Sequence, residues 1–345
     1  MQKRLDWIDA VKGTCLLLVI LAHLWNPCPK WVALLTAGYM QVFFVMAGVT
    51  AVASSLPWRE RIIQKSKRLL LPYAFYGIGL LCIGLILPTQ ADVKNGLLGL
   101  LYGRYTLYPP SIEPNFPLLQ SCGYLSPLWF LPCIFLSYVL LEWYDHSRRP
   151  YLIVMLSITV GIATPLLPIL MPWSIEMAFV GFLLMLCGRW MRPLVIKKSE
   201  KPDSTDLFQW LLGIGCAVLY GFVWWNDAPI NMSLSQMGNS EVFFPIQCVL
   251  FIILGVCEAL FLSVLFCSFP TSIITRSAAY IGRQAMRLMC IHLFIGQGMF
   301  YVLARWDVPF AVSFCCALIV ILLINFLLDR LLKRTCLRDS WAQYL

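Results

Sequence analysis

The sequence predicts an all-α, polytopic integral membrane protein with about ten transmembrane helices, forming a single membrane-embedded domain over residues 1–345 with both termini cytoplasmic. Three observations carry this. Of the 345 residues, 60% are hydrophobic and 12% are charged, whereas soluble domains hold about 45–50% apolar and about 25% charged residues. Apolar runs of about 20 residues, long enough to cross a bilayer, recur along the chain. Basic residues gather in alternate segments between those runs. Together they exclude an ordinary cytosolic enzyme, a disordered chain and a nucleic-acid-binding module.

Taken in order, the first span runs near Lys12–Asn26. Lys3 and Arg4 before it imitate a signal peptide, but Asp9 and Lys12 interrupt the approach and no small-x-small cleavage site follows Ala22. It reads as a retained membrane helix. Val32–Ser54 follows, then Leu70–Leu87, entered directly from a basic segment. The stretch Pro88–Leu125, rich in Pro, Tyr and Gly, reads as the one sizeable outer loop. Beyond it come Ser126–Trp143, Tyr151–Leu170, Trp173–Met191, Leu207–Trp225, Val242–Cys267, Met286–Ala304 and Val308–Leu328.

Orientation follows from charge. With the N-terminus inside, only Lys30, Lys94, Arg104 and Arg305 of the 26 basic residues fall on the outer side. Cytoplasmic loops retain Lys and Arg preferentially. The same distribution accounts for the net charge of +9 without a nucleic-acid partner.

The 14 cysteines are scattered, mostly inside apolar runs, and form no C-x-x-C pair. With only 3 histidines, no metal site is expected. Most thiols read as small packing residues. Cys28 and Cys122 would pair only if both face an oxidising compartment.

Ionisable residues inside membrane spans are costly and therefore functional candidates. The first helix holds Asp9, Lys12 and His23. Lys12 and His23 are 11 residues apart, which is three turns plus about 20°, and Asp9 points the same way, so all three share one face. His23 stands about 16 Å above Lys12 along the axis. For Asp9 and Lys12 an interfacial ion pair competes with a functional role. For His23 a backbone-bonded interfacial histidine competes with a general base for a hydroxyl nucleophile. Glu258 and His292, in the eighth and ninth spans, are a candidate buried polar pair across helices. Glu176 reads as no more than a helix-start acid suited to the dipole. The segment Arg59–Arg68 is either an anchor for anionic headgroups or a site for donor phosphates, with Lys65 and Arg68 held at a membrane mouth.

The stretch L-D-W-I-D-A-V-K-G-T-C-L-L-L-V-I-L-A-H, ending at His23, resembles the opening of the acyltransferase-3 family of membrane acyltransferases. It is most similar to the branch related to fucose 4-O-acetylases. Lys12 stands where the wider family commonly has arginine, keeping the charge without the bidentate fork. Y-M-Q-V-F-F-V-M-A-G (Tyr39–Gly48) resembles an H-M-P-L-F-F-x-x-S-G element, with Tyr39, Gln41 and Ala47 as departures. K-S-K-R-L-L-L-P-Y (Lys65–Tyr73) and S-P-L-W-F-L-P (Ser126–Pro132) resemble the family's basic entry and L-W-F-L signature. I-G-R-Q-A-M-R-L-M-C-I-H (Ile281–His292) resembles G-x-N-S-x-x-I-Y-x-x-H, departing at Gln284, Ala285 and Met289.

The resemblance covers essentially the whole chain. It implies transfer of an acyl group, most often acetyl, from cytoplasmic acyl-CoA to a sugar hydroxyl of a cell-envelope glycan such as capsule, O-antigen or exopolysaccharide. The implied setting is the bacterial inner membrane, with acetyl-CoA as a donor substrate and no tightly bound cofactor. His23 is then the expected base, with an acyl-His intermediate as the variant route. Asp9 and Lys12 complete the catalytic set by organising the donor path, Lys65 and Arg68 hold its phosphates, and Tyr39 and Trp129 line the sugar site unless they serve only as core packing. Acceptor specificity is expected in Pro88–Leu125 and near Asn226–Glu241. The competing expectations are a flippase for an envelope glycan precursor, which consumes no acyl donor, and a scaffold in a polysaccharide-assembly complex.

Overall fold

A computed structural model describes residues 5–25, 29–51, 56–86, 93–109, 123–200, 211, 213–216, 218, 219, 221, 222, 230–238 and 244–334. Twelve helices can be numbered in it. They are α1 Asp6–Leu24, α2 Lys30–Leu35, α3 Tyr39–Thr50, α4 Trp58–Ile86, α5 Val93–Tyr102, α6 Phe130–His146, α7 Pro150–Ala163, α8 Ile175–Glu200, α9 Gln247–Ser268, α10 Ile273–Gly282, α11 Ala285–Ala304 and α12 Phe310–Arg334. The strands among the described residues are a short antiparallel pair, Ile230–Asn231 with Gln236–Met237.

Six helical stretches among the described residues are long and apolar enough to cross a membrane: Asp6–Leu24, Leu125–His146, Pro172–Ile196, Gln247–Ser268, Ala285–Ala304 and Phe310–Leu331. The chain is an all-helical polytopic membrane protein. Its outer helices carry bare apolar side chains, such as Met155 on α7 and Ile319, Leu323 and Leu327 on α12, which a lipid surround accepts at no cost.

Helix α3 forms the centre. Residues 40–49 are buried on every side, as befits a helix that is apolar all round. It crosses α8 with reciprocal glycines. A methyl group at Gly48 would strike the Met185 backbone, and one at Gly188 would strike the Val45 carbonyl. The crossing of α1 and α10 repeats the device, with Gly13 against Ala278 and Gly282 against the Asp9 carbonyl. Small residues let membrane helices approach to backbone contact where no hydrophobic effect drives them together.

Several expectations change. The span expected over Val32–Ser54 is broken: α2 stops at Leu35 and α3 starts at Tyr39. At the break the Thr36 hydroxyl donates to the Val32 carbonyl (2.8 Å), and Gly38 caps α3. The supposed outer loop contains α5. The segment placed as a basic loop before the ninth span contains α10, whose N-cap Ser272 accepts from the Thr275 N–H (3.0 Å). Arg287 is no loop residue; it lies buried on α11 and pairs with Asp329 of α12 at 3.0 Å. The expected span Leu207–Trp225 lies mainly outside the described residues, as do Cys28 and Cys122; its described residues are helical.

Candidate active site

One cavity of about 320 Å³ gathers residues from six parts of the chain, a volume at the lower end for small-molecule sites. The last two turns of α1 contribute Val19 and His23, four residues apart and so on one face. The break at residues 36–38 delivers Tyr39 and Met40 on the first turn of α3. A 3-10 turn over Gly123–Trp129, stiffened by Pro127, sets Trp129 into the wall. Helix α11 adds Met289, Leu293 and Gln297, which repeat every four residues along one stripe. Tyr105 follows α5, and Asn231 and Ser233 come from the hairpin segment. His23, expected as the base, and Tyr39 and Trp129, expected together at the sugar site, therefore line one chamber.

His23 packs against His292, with ring centroids 5.4 Å apart and planes tilted by 42°. His292 is fully buried. Its Nδ1 lies 3.1 Å from the Leu288 carbonyl and 3.0 Å from that of Met289, so Nδ1 carries the proton and donates. Its Nε2 then holds a lone pair and has no hydrogen-bond partner among the described residues. Glu258, the other member of the pair expected from sequence, is buried in α9; the ring against His292 is that of His23.

The hairpin wall is held by a group the sequence reading undervalued. Glu176 is no simple helix-start acid: it forms a buried ion pair with Arg104, each residue 2% exposed. Arg104 also donates to the carbonyls of Met171 and Ser233, both at 2.9 Å, and to the Ser235 hydroxyl at 3.1 Å. Ser235 in turn donates to Glu176 at 2.7 Å. Asn231 accepts from the Ser233 N–H (3.1 Å) and hydroxyl (2.7 Å). The hub ties the start of α8 and the hairpin segment to the chain after α5. Its sequence signal was an acid and a base of opposite sign on the same side of the membrane, one of them among the few basic residues off the basic side.

The opposite end of the bundle is basic and ordered by ion pairs. Arg61 meets Glu142 at 2.6 Å, and Arg189 grips Asp145 at 2.6 and 3.1 Å. Lys65 lies there on the polar part of α4, before its apolar stretch, with its ammonium 3.8 Å from the centre of the Tyr138 ring, a cation–π contact. Burial pushes its pKa down to about 8; the charge of Arg68 adds to this and Glu142 opposes it. Tyr138 stands eight residues into α6 from Phe130, roughly 12 Å along the axis from the Trp129 end. Arg68 is exposed beside it. Asp9 is buried and Lys12 half-buried on α1, both engaged in polar contacts and both about three turns or more from His23.

A family model for an acyltransferase domain, that of acyltransferase family 3, matches residues 5–330. No curated protein and no solved structure matches the chain.

Proposed function

The chain belongs to the acyltransferase-3 family, and we propose that it moves an acetyl group from cytoplasmic acetyl-CoA to a sugar hydroxyl of a bacterial cell-envelope polysaccharide, with His23 as general base. Membership implies a membrane transferase that uses an acyl donor. The resemblance of the opening residues to the fucose 4-O-acetylase-related branch supports a sugar acceptor. The observation that carries the reading is the single chamber in which the His23 imidazole meets Tyr39, Trp129, Tyr105, Asn231, Ser233 and Gln297.

Each part has a chemical use. The rings of Trp129 and the two tyrosines offer flat faces to a sugar. Asn231, Ser233 and Gln297 offer donors and acceptors to its hydroxyls. No Asp, Glu, Lys or Arg side chain lines the cavity among the described residues, so an uncharged sugar fits it better than a uronate or sialic acid. The donor's phosphates have no counter-charge there and belong at the basic end with Lys65 and Arg68. The slender pantetheine arm then covers the distance between the two ends. His23 takes the proton of the acceptor hydroxyl as that oxygen bonds to the thioester carbonyl carbon. The carbon–sulfur bond breaks, and the proton passes to the departing thiolate.

The test is His23→Ala in the host, scored by O-acetylation of its surface polysaccharide at matched protein level. A loss of about 10²–10⁴-fold is expected for removal of a general base. Unchanged acetylation refutes the base assignment.

A further inference from the structure

We propose that His292 is a positioning residue for His23: its free Nε2 accepts a hydrogen bond from the His23 imidazolium while His23 holds the acceptor's proton. The inference rests on the reading of His23 as base. Three observations support it independently of that reading. His292 is fully buried yet keeps one ring nitrogen without a partner among the described residues, an arrangement that normally costs stability and so needs a reason. Its other nitrogen is fixed by two carbonyls of its own helix, which settles the tautomer and leaves a lone pair rather than a proton on Nε2. The ring it touches is that of His23, at 5.4 Å between centroids, near enough for a ring N–H of one to reach a ring nitrogen of the other after a small side-chain rotation.

The two helices pack directly against each other at this point. His292 and Gly296 stand one turn apart on α11 and meet His23 and Leu24 of α1. A methyl group at Gly296 would crowd the Leu24 side chain, so the glycine leaves room for Leu24 next to the paired rings. The arrangement follows the logic of a base oriented by a third group, with a neutral imidazole in the orienting place. The pair carries at most one extra proton, because two adjacent imidazolium rings repel. His23 gains that proton from the hydroxyl and loses it to the departing thiolate, so His292 ends each cycle unchanged.

His292→Asn tests this in the full-length protein in membranes, with labelled acetyl-CoA as donor and the host glycan as acceptor. The asparagine amide keeps a donor near Nδ1 for the helix carbonyls and removes Nε2. We expect kcat to fall at least tenfold while KM for acetyl-CoA holds and the protein inserts normally. A wild-type kcat overturns the proposal, because a role limited to holding the helix would survive. Should the asparagine variant fail to insert, His292→Gln, which places a polar atom near Nε2 and gives up the carbonyl bonds, decides instead. Activity above that of His292→Leu supports the proposal, and equal activity overturns it. His23→Ala run in parallel separates the two claims: if it is inactive while His292→Asn is normal, only the positioning role falls.

Discussion

At the scale of single residues, charge state at the basic end makes a prediction separate from the chemistry at His23. In the proposed donor site Lys65 would bind an anion only while protonated, and burial has brought its pKa down to about 8. Its charge is therefore present below that value and lost as pH rises through it. Affinity for acetyl-CoA should fall between about pH 7 and about pH 9, and Lys65→Arg should flatten the profile, because guanidinium stays charged. Lys65→Ala should weaken donor binding roughly 10–100-fold at about pH 7, the value of a charge-assisted contact. Direct titration of acetyl-CoA into purified protein checks both; an affinity insensitive to Lys65 returns it to a cation–π anchor on Tyr138. Residues that line the candidate cavity were legible from sequence where they sat in short patterned stretches, as His23, Tyr39 and Trp129 did. The Arg104–Glu176 pair was not, because its members are 72 positions apart and neither stretch shows that the other ends beside it. The contact of His23 with His292 escaped for the same reason, since depth along a helix says nothing about which neighbour its face will meet.

Among the helices, the two glycine crossings hold the site in place. The α3–α8 crossing fixes the helix that presents Tyr39, and the α1–α10 crossing fixes the helix that presents His23. Gly188→Ala inserts a methyl group against the Val45 carbonyl. Overpacking of a tight contact costs about 1–3 kcal/mol, so the thermal midpoint in detergent should drop and activity with it. An unaltered midpoint would mean that the helices separate freely there. Helix existence followed from apolar run length, and most of the spans recovered as helices begin or end within a few residues of expectation. Helix interruption did not follow. Val32–Ser54 reads as one continuous apolar run, and nothing in it announces the break at residues 36–38, since Gly38, the N-cap of α3, is a residue that also occurs inside intact membrane helices. Helix α10 escaped because ten residues with an arginine among them look like a polar connection, whereas Ala278 and Gly282 bury one face of it on α1.

For the whole molecule, function requires two unlike ends joined through the bundle. One end gathers cations, which the proposed function assigns to a bulky donor that cannot enter lipid; the other encloses an aromatic chamber lined by His23. The proposed function takes the basic end as cytoplasmic, on the charge asymmetry of the sequence, and so expects donor and acceptor on opposite sides of the membrane. The most direct test uses sealed vesicles with the basic end outward and a soluble glycan acceptor trapped inside. Labelled acetyl-CoA is added outside only. Wild-type protein should acetylate the enclosed glycan and His23→Ala should not, with the vesicles equally tight. Acetylation confined to glycan on the same side as the donor, or equal transfer by His23→Ala, would contradict the account.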